Sequence, residues 1–298
     1  MKTTILIVLA TFVFTNTLQA QPFNFEVNPE SKSPSLSGKI NKEGLSGPHY
    51  TDWFTKNYEE YAPKQSIINQ LQNELDHYTI TAFMGTWCGD SKREVPRFYK
   101  VLDAANFPLE RLTLVAVHRE KEMYKRSPGG EEEGMNIHRV PTFIIYKNGK
   151  EVNRIVESPV ASLEEDLANI LQNNYTPNYH GVTLMDNLLT EIDTRSFNKK
   201  QKRILHELKT HVKGSKELNT YAYVMSYSGK ESEAVIAARM NTLLFPEEAR
   251  TYVTLASFLD KTNNSAEALE NYQKALELDP ENEKAKTGIK ALSSSTSN

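Results

Sequence analysis

Cys88 is the single cysteine of this 298-residue chain. It lies in Thr86-Trp87-Cys88-Gly89-Asp90-Ser91-Lys92, between an apolar strand-like run, Tyr78 to Met84, and a helical pattern containing Pro96. The amino end of a helix presents unpaired N–H groups and a partial positive charge, both of which stabilise a thiolate. Such placements lower a thiol pKa from about 8.5 into a range of roughly 3.5–7.5. The spacing therefore predicts one activated sulfur nucleophile. Its bland alternative is a buried cysteine serving as a small hydrophobe.

The charges around the sulfur pull in both directions. Asp90 suits the helix amino end but opposes a neighbouring thiolate, whereas Lys92, Arg93 and Arg97 favour one, subject to screening. A Cys/His hydrolase would need a histidine oriented against the sulfur. His118 and His138 are the candidates by position; neither carries a hydrolase signature, and both read as surface or edge histidines. The seven histidines are scattered without ligand spacing, and one thiol supplies no closed zinc set. No metal or bound cofactor is expected.

The elements that must position Cys88 can be read from the apolar periodicity. Helices are expected over Asp52–Tyr61 and Ser66–Leu75, a strand over Tyr78–Met84, and a helix from Cys88 to about Ala105. Leu112–Val117 reads as a central strand. Thr142–Tyr146 and Glu151–Val156 flank Lys147-Asn148-Gly149-Lys150, and Asn-Gly is a strong hairpin signal. Ser162–Leu171 is amphipathic, with Ser162 and Glu165 at capping-box spacing. This order predicts an α/β domain, a mixed sheet with helices on both faces, over residues 48–176.

The wider chain sets the context. The composition is 39% hydrophobic and 24% charged with formal net charge -3, an ordinary globular balance whose length suits two domains. That balance gives no field arguing for nucleic acid. Met1-Lys2, the apolar stretch Ile5–Phe14 and the polar segment ending in Ala20 form a secretory signal pattern over residues 1–20. Export to the periplasm or beyond is expected, with no integral membrane segment after cleavage. An unpaired cysteine in an oxidising compartment is then either a reactive thiol or an intermolecular partner. Residues 21–47, rich in Pro, Ser, Asn and Gly, read as a flexible lead-in.

Taken in order, these residues resemble the thioredoxin superfamily. Trp87-Cys88-Gly89-Asp90-Ser91 is similar to its Trp-Cys-Gly-X-Cys turn, Pro96 to the proline of its first long helix, and Val140-Pro141-Thr142 to its cis-proline loop. The Lys147–Lys150 turn is similar to the hairpin joining its last two strands. The resemblance implies that Cys88 is the nucleophile, Trp87 an apolar surface beside it, and Pro141 the residue facing it. Val140, Gly89 and Asp90 would then meet substrate, with Val140 backbone groups open to an extended polypeptide. Two departures stand out. Ser91 replaces the resolving cysteine, so a mixed disulfide must be released by an outside thiol; its hydroxyl can still donate to the sulfur. Ala82 stands where many relatives carry a buried aspartate.

Beyond residue 177 the pattern is helical. Tyr252, Leu255, Ala256, Ala268, Tyr272, Ala275 and Pro280 fall at the key offsets of a tetratricopeptide repeat over 249–282. An earlier, degenerate copy keeps Ala222, Ala234 and Pro246 but departs at Ala238 and Asn241. Because two repeats rarely close a core, Met185–Ile192 and Gln201–Val212 are expected either to complete it or to dock on the first domain. The helical domain is assigned to 183–292 and a disordered tail to 293–298. Two functions follow as expectations. One is a monothiol thiol–disulfide oxidoreductase or isomerase acting on thiol- or disulfide-bearing proteins. The other is an inactive thioredoxin-fold scaffold whose helical repeat binds a partner protein.

Overall fold

The computed structural model describes residues 23–28, 30–31, 33–72, 74–191 and 194–295. The signal pattern over 1–20 lies outside the described residues. Among the described residues six strands form one sheet: β1 Phe25–Val27, β2 Ser35–Ile40, β3 Tyr78–Met84, β4 Leu112–Ala116, β5 Thr142–Lys147 and β6 Lys150–Val156. Their order is β1-β2-β4-β3-β5-β6. β3 and β4 run parallel, and the other neighbouring pairs are antiparallel. The β5–β6 turn has positive φ at Asn148 and Gly149, the backbone that an Asn-Gly hairpin turn requires.

Helices α1 Lys42–Leu45, α2 Thr51–Glu59, α3 Gln65–Leu71, α4 Gly89–Ala104 and α5 Leu163–Leu171 accompany this sheet. The Ser162 Oγ accepts the Glu165 N–H and donates to the Glu165 carboxylate, starting α5 as its sequence predicts. Side chains alternate across the sheet by the period-two pleat. Ile80, Ala82, Met84, Phe143 and Ile145 face one core with Phe98 of α4 and Leu163 and Leu167 of α5. Phe98 stacks on Phe143 with ring centroids 4.1 Å apart. Burying one such ring contributes about 1.5–3 kcal/mol.

Three expectations need correction. The opposite face of the sheet, built on Phe83, Val115, Val117 and Ile144, is covered by Ile137 and Val140 from the segment 118–141. That segment holds only a three-residue 3-10 turn, Lys121–Met123, in place of a second helical layer. The lead-in over 21–47 contains β1, β2 and α1; β2 pairs with β4, and Leu36 and Ile40 are buried in the core. The disordered tail also begins too early, since the last helix extends through Ser295.

The remainder is helical: α6 His180–Glu191, α7 Thr194–Lys209, α8 Ser215–Tyr227, α9 Glu231–Leu244, α10 Ala249–Lys261, α11 Ser265–Leu278 and α12 Glu283–Ser295. Fully buried alanines, among them Ala222, Ala234, Ala256 and Ala268, let these helices approach closely. Met185 of α6 and Phe197, Ile204 and Leu208 of α7 join the same core, so α6 and α7 complete the stack. In the degenerate repeat the buried Asn241 donates to the Ser215 carbonyl at 2.8 Å and to Asn219 Oδ1 at 2.7 Å. Its amide thereby keeps hydrogen bonds where the later repeat has Ala275. Among the described residues no helix is long and apolar enough to cross a membrane.

Candidate active site

Cys88 occupies the position just before α4, with extended backbone (φ −93°, ψ 128°). Its N–H donates to the Gly85 carbonyl at 2.9 Å, closing the turn Gly85-Thr86-Trp87-Cys88, and its carbonyl accepts the Lys92 N–H at 3.0 Å. The sulfur therefore sits at the helix mouth. It is partly exposed, and Gly89 beside it is exposed. Across the groove the Val140–Pro141 peptide is cis. The Cys88 thiol donates to the Val140 carbonyl oxygen at 3.3 Å.

Trp87 is fixed by two features. Its indole N–H donates to the Val117 carbonyl at 2.9 Å. Gly85 makes room for the ring, because a Cβ at this glycine would lie 2.5 Å from it. β2, the strand not foreseen, also supports the turn: the Leu36 N–H donates to Thr86 Oγ1 at 3.1 Å in a buried contact.

Ser91 is fully buried, and its Oγ accepts the Gly85 N–H at 3.2 Å. The sulfur's own hydrogen bond goes to Val140, so the expected donation from Ser91 to Cys88 is not what the structure records. Val140 is only 3% exposed, contrary to an open pairing edge. Arg139 explains part of this closure. Its guanidinium pairs with Glu157 at 3.1 Å, donates to Thr220 Oγ1 at 3.2 Å, and lies 4.8 Å from the centre of the Tyr179 ring. The cis-proline loop is thus tied to α8 of the helical repeat.

The nearby charges are largely committed. Asp90 pairs with Arg93 at 2.9 Å, and Glu94, nearly buried, pairs with both Arg93 and Arg97. Those arginines therefore neutralise carboxylates before they can favour a thiolate. His118 contacts Ser37 and Glu120, at 2.8 and 3.2 Å. His138 is not a surface residue: it is 2% exposed, and its Nδ1 contacts the Asn136 carbonyl at 3.2 Å. Burial first, then the nearby Lys125, pushes its pKa down to about 3. Neither histidine bonds the sulfur. Among the described residues no group of three or more His, Cys, Asp or Glu could hold a metal ion.

Sequence reading missed three neighbours of Cys88. Tyr124 lies 6.4 Å from Trp87, ring centre to ring centre, and 6.1 Å from Tyr227 of α8. Lys125, 5% exposed, donates its ammonium to the His138 carbonyl. Burial, followed by Arg139, pushes its pKa down to about 7, while Glu157 and Cys88 oppose that shift. The third is Arg139. Only Arg139 had a usable signal, adjoining the Val-Pro pair; Tyr124 and Lys125 lie in a loop without periodicity.

Sequence comparison places thioredoxins among the proteins similar to this chain. Thioredoxin-2 of Pyricularia oryzae is 25% identical over 135 residues, covering 42% of this chain and 72% of its own length. Thioredoxin-1 of Schizosaccharomyces pombe is 28% identical over 92 residues, and Thioredoxin-2 of Saccharomyces cerevisiae 29% over 97. Each of these two matches covers 31% of this chain and 80% of the relative. The tetratricopeptide repeat family matches residues 249–282. The chain carries a thioredoxin-like domain followed by tetratricopeptide-type helices.

Proposed function

We propose that this chain is an exported monothiol thiol–disulfide exchange protein acting on cysteine-bearing polypeptides through Cys88. The observation carrying this reading is the partly exposed sulfur at the mouth of α4, 3.3 Å from the Val140 carbonyl of a cis-proline loop. In the first step the Cys88 thiolate attacks one sulfur of a substrate disulfide. That S–S bond breaks, a Cys88–substrate disulfide forms, and the other sulfur leaves as a thiolate that takes a proton from water. Ser91 supplies no second sulfur. A thiolate from the same substrate or from a small-molecule thiol therefore attacks the mixed disulfide and returns Cys88 as thiolate. When that thiolate belongs to the substrate, the net change is disulfide isomerisation. When two external thiols are consumed, the substrate is reduced and they are oxidised to a disulfide.

The test is exchange on a scrambled-disulfide protein with glutathione present, comparing wild type with Cys88→Ala. Faster recovery with wild type and a trapped mixed disulfide at Cys88 are expected. Equal behaviour of the two proteins would sink the enzyme reading. Ala82, buried where a proton-accepting aspartate is common in similar proteins, favours the second reading, a scaffold that binds through its helical repeat.

A further inference from the structure

Beside the sulfur, the segment after β4 and the helical repeat together enclose a groove of about 390 Å³. Its walls are Tyr124 from the thioredoxin-like domain, Tyr223 and Tyr227 from α8, and three cations: Arg119, Lys121 and Lys284. Thr220, which also accepts a hydrogen bond from Arg139, completes it. All three cations are exposed, none forms an ion pair among the described residues, and no acid lines the groove. Three acids adjoin these cations in sequence: Glu120 pairs with His118 and Glu283 with Lys286, each at 3.2 Å, while the exposed Glu122 acts on Tyr227, leaving three cations against one free carboxylate.

Aromatic rings lead from Trp87, the residue before Cys88, to the groove wall. Ring centroids step from Trp87 to Tyr124 over 6.4 Å, from Tyr124 to Tyr227 over 6.1 Å, and from Tyr227 to Tyr223 over 6.0 Å. An extended chain rises about 3.3 Å per residue, so about four residues take it from Trp87 to Tyr227. The usual alternative, strand pairing along Val140, meets a buried residue whose carbonyl the Cys88 thiol already engages. Flat aromatic walls accept an extended chain with little specificity, and unpaired cations select its charge.

We infer that this groove, shared by the two domains, receives an acidic, extended stretch of the polypeptide substrate, about four residues from the cysteine presented to Cys88. The inference rests on the thiol-exchange reading and adds a substrate class to it. Charge complementarity commits the groove to an anionic occupant, and the ladder of tyrosines to a polypeptide.

The experiment uses two peptides, each with one cysteine joined in a mixed disulfide to 5-thio-2-nitrobenzoate. One carries three glutamates about four residues from the cysteine, the other three lysines. Attack by the Cys88 thiolate on the peptide sulfur forms a Cys88–peptide disulfide and expels the coloured thiolate. At low ionic strength the glutamate peptide should react about tenfold faster, and added salt should shrink the ratio. In the triple variant Arg119→Glu, Lys121→Glu, Lys284→Glu the ratio should fall to about one or invert. Far-UV circular dichroism of the triple variant must match wild type, because an unfolded thiol would react with both peptides alike and lower the ratio by itself. Binding of fluorescent versions of both peptides to Cys88→Ala, followed by anisotropy, separates the two ideas. Release at equal rates from both peptides by wild type, or an unchanged ratio in the triple variant, overturns the groove and leaves the thiol reading intact. No release from either peptide, with tighter binding of the glutamate peptide to Cys88→Ala, removes the thiol reading and supports the groove. No release and no difference in binding overturns both.

Discussion

The thiol of Cys88 and the carbonyl oxygen of Val140, 52 residues apart in sequence, meet at 3.3 Å. The contact joins the amino end of α4 to the cis-proline loop, and through the adjacent Arg139 it reaches α8 of the helical repeat. A change at any of these points should therefore be felt at the sulfur.

Arg139→Ala removes the Glu157 ion pair and the Thr220 hydrogen bond together. A loss of about 1–3 kcal/mol of stability is expected, from the hydrogen-bonded charge and the partners left behind. Releasing the loop from α8 should also speed alkylation of Cys88 by iodoacetamide several-fold. A variant of reduced stability with unchanged alkylation would show that this tie does not limit access to the sulfur.

Lys125→Met tests the buried ammonium. In the folded chain its pKa is pushed down to about 7, against an ordinary value of 10.5. Between these values the unfolded chain binds the extra proton, so wild-type stability rises with pH across that window. Below about 7 both states are protonated, and the burial penalty is full. The variant lacks this slope. Its stability relative to wild type should be highest and level below about pH 7 and fall by about 2–3 kcal/mol over the two pH units above it. Urea unfolding of both proteins at each pH gives the difference, and parallel curves would contradict it.

Gly85→Ala places a methyl group 2.5 Å from the Trp87 ring. The ring must swing away from the Val117 carbonyl, at a cost of about 1–3 kcal/mol typical of overpacking. The indole emission should move to longer wavelength, measured in a Trp53→Phe background so that only one tryptophan reports. An unshifted spectrum would mean that the turn absorbs the extra carbon.

Ser91→Cys restores a second sulfur to the motif. With the thiol reading correct, release of a trapped substrate should then no longer need added glutathione, as gel-resolved mixed disulfide would show. Ser91→Ala, by contrast, leaves the buried Gly85 N–H without its acceptor, at about 1–3 kcal/mol.

Much of this arrangement is legible from local sequence. Tyr78–Met84 alternates between a buried face and one that runs from the exposed Thr79 to the buried Phe83, Asn148-Gly149 dictates its turn, and Ser162 caps its helix, each a short-range effect. β2 is not legible, because Ser35-Leu-Ser-Gly-Lys-Ile40 has few apolar side chains and becomes a strand only where β4 offers an open edge. Lys125 is hidden for a related reason. A lysine in an aperiodic loop reads as exposed, and only the fold buries it against the His138 carbonyl and near Arg139. The groove between the domains likewise depends on how separate elements meet, which spacing along one chain does not encode.

β2 also bears on where this protein can be cut. A shortened chain starting at residue 48, the start assigned to the α/β domain from sequence, would strip β4 of its antiparallel neighbour. The bared row of amide and carbonyl groups would invite intermolecular sheet growth, and Thr86 would lose the Leu36 N–H that steadies the cysteine turn. Such a fragment would precipitate or react sluggishly for reasons unrelated to its chemistry.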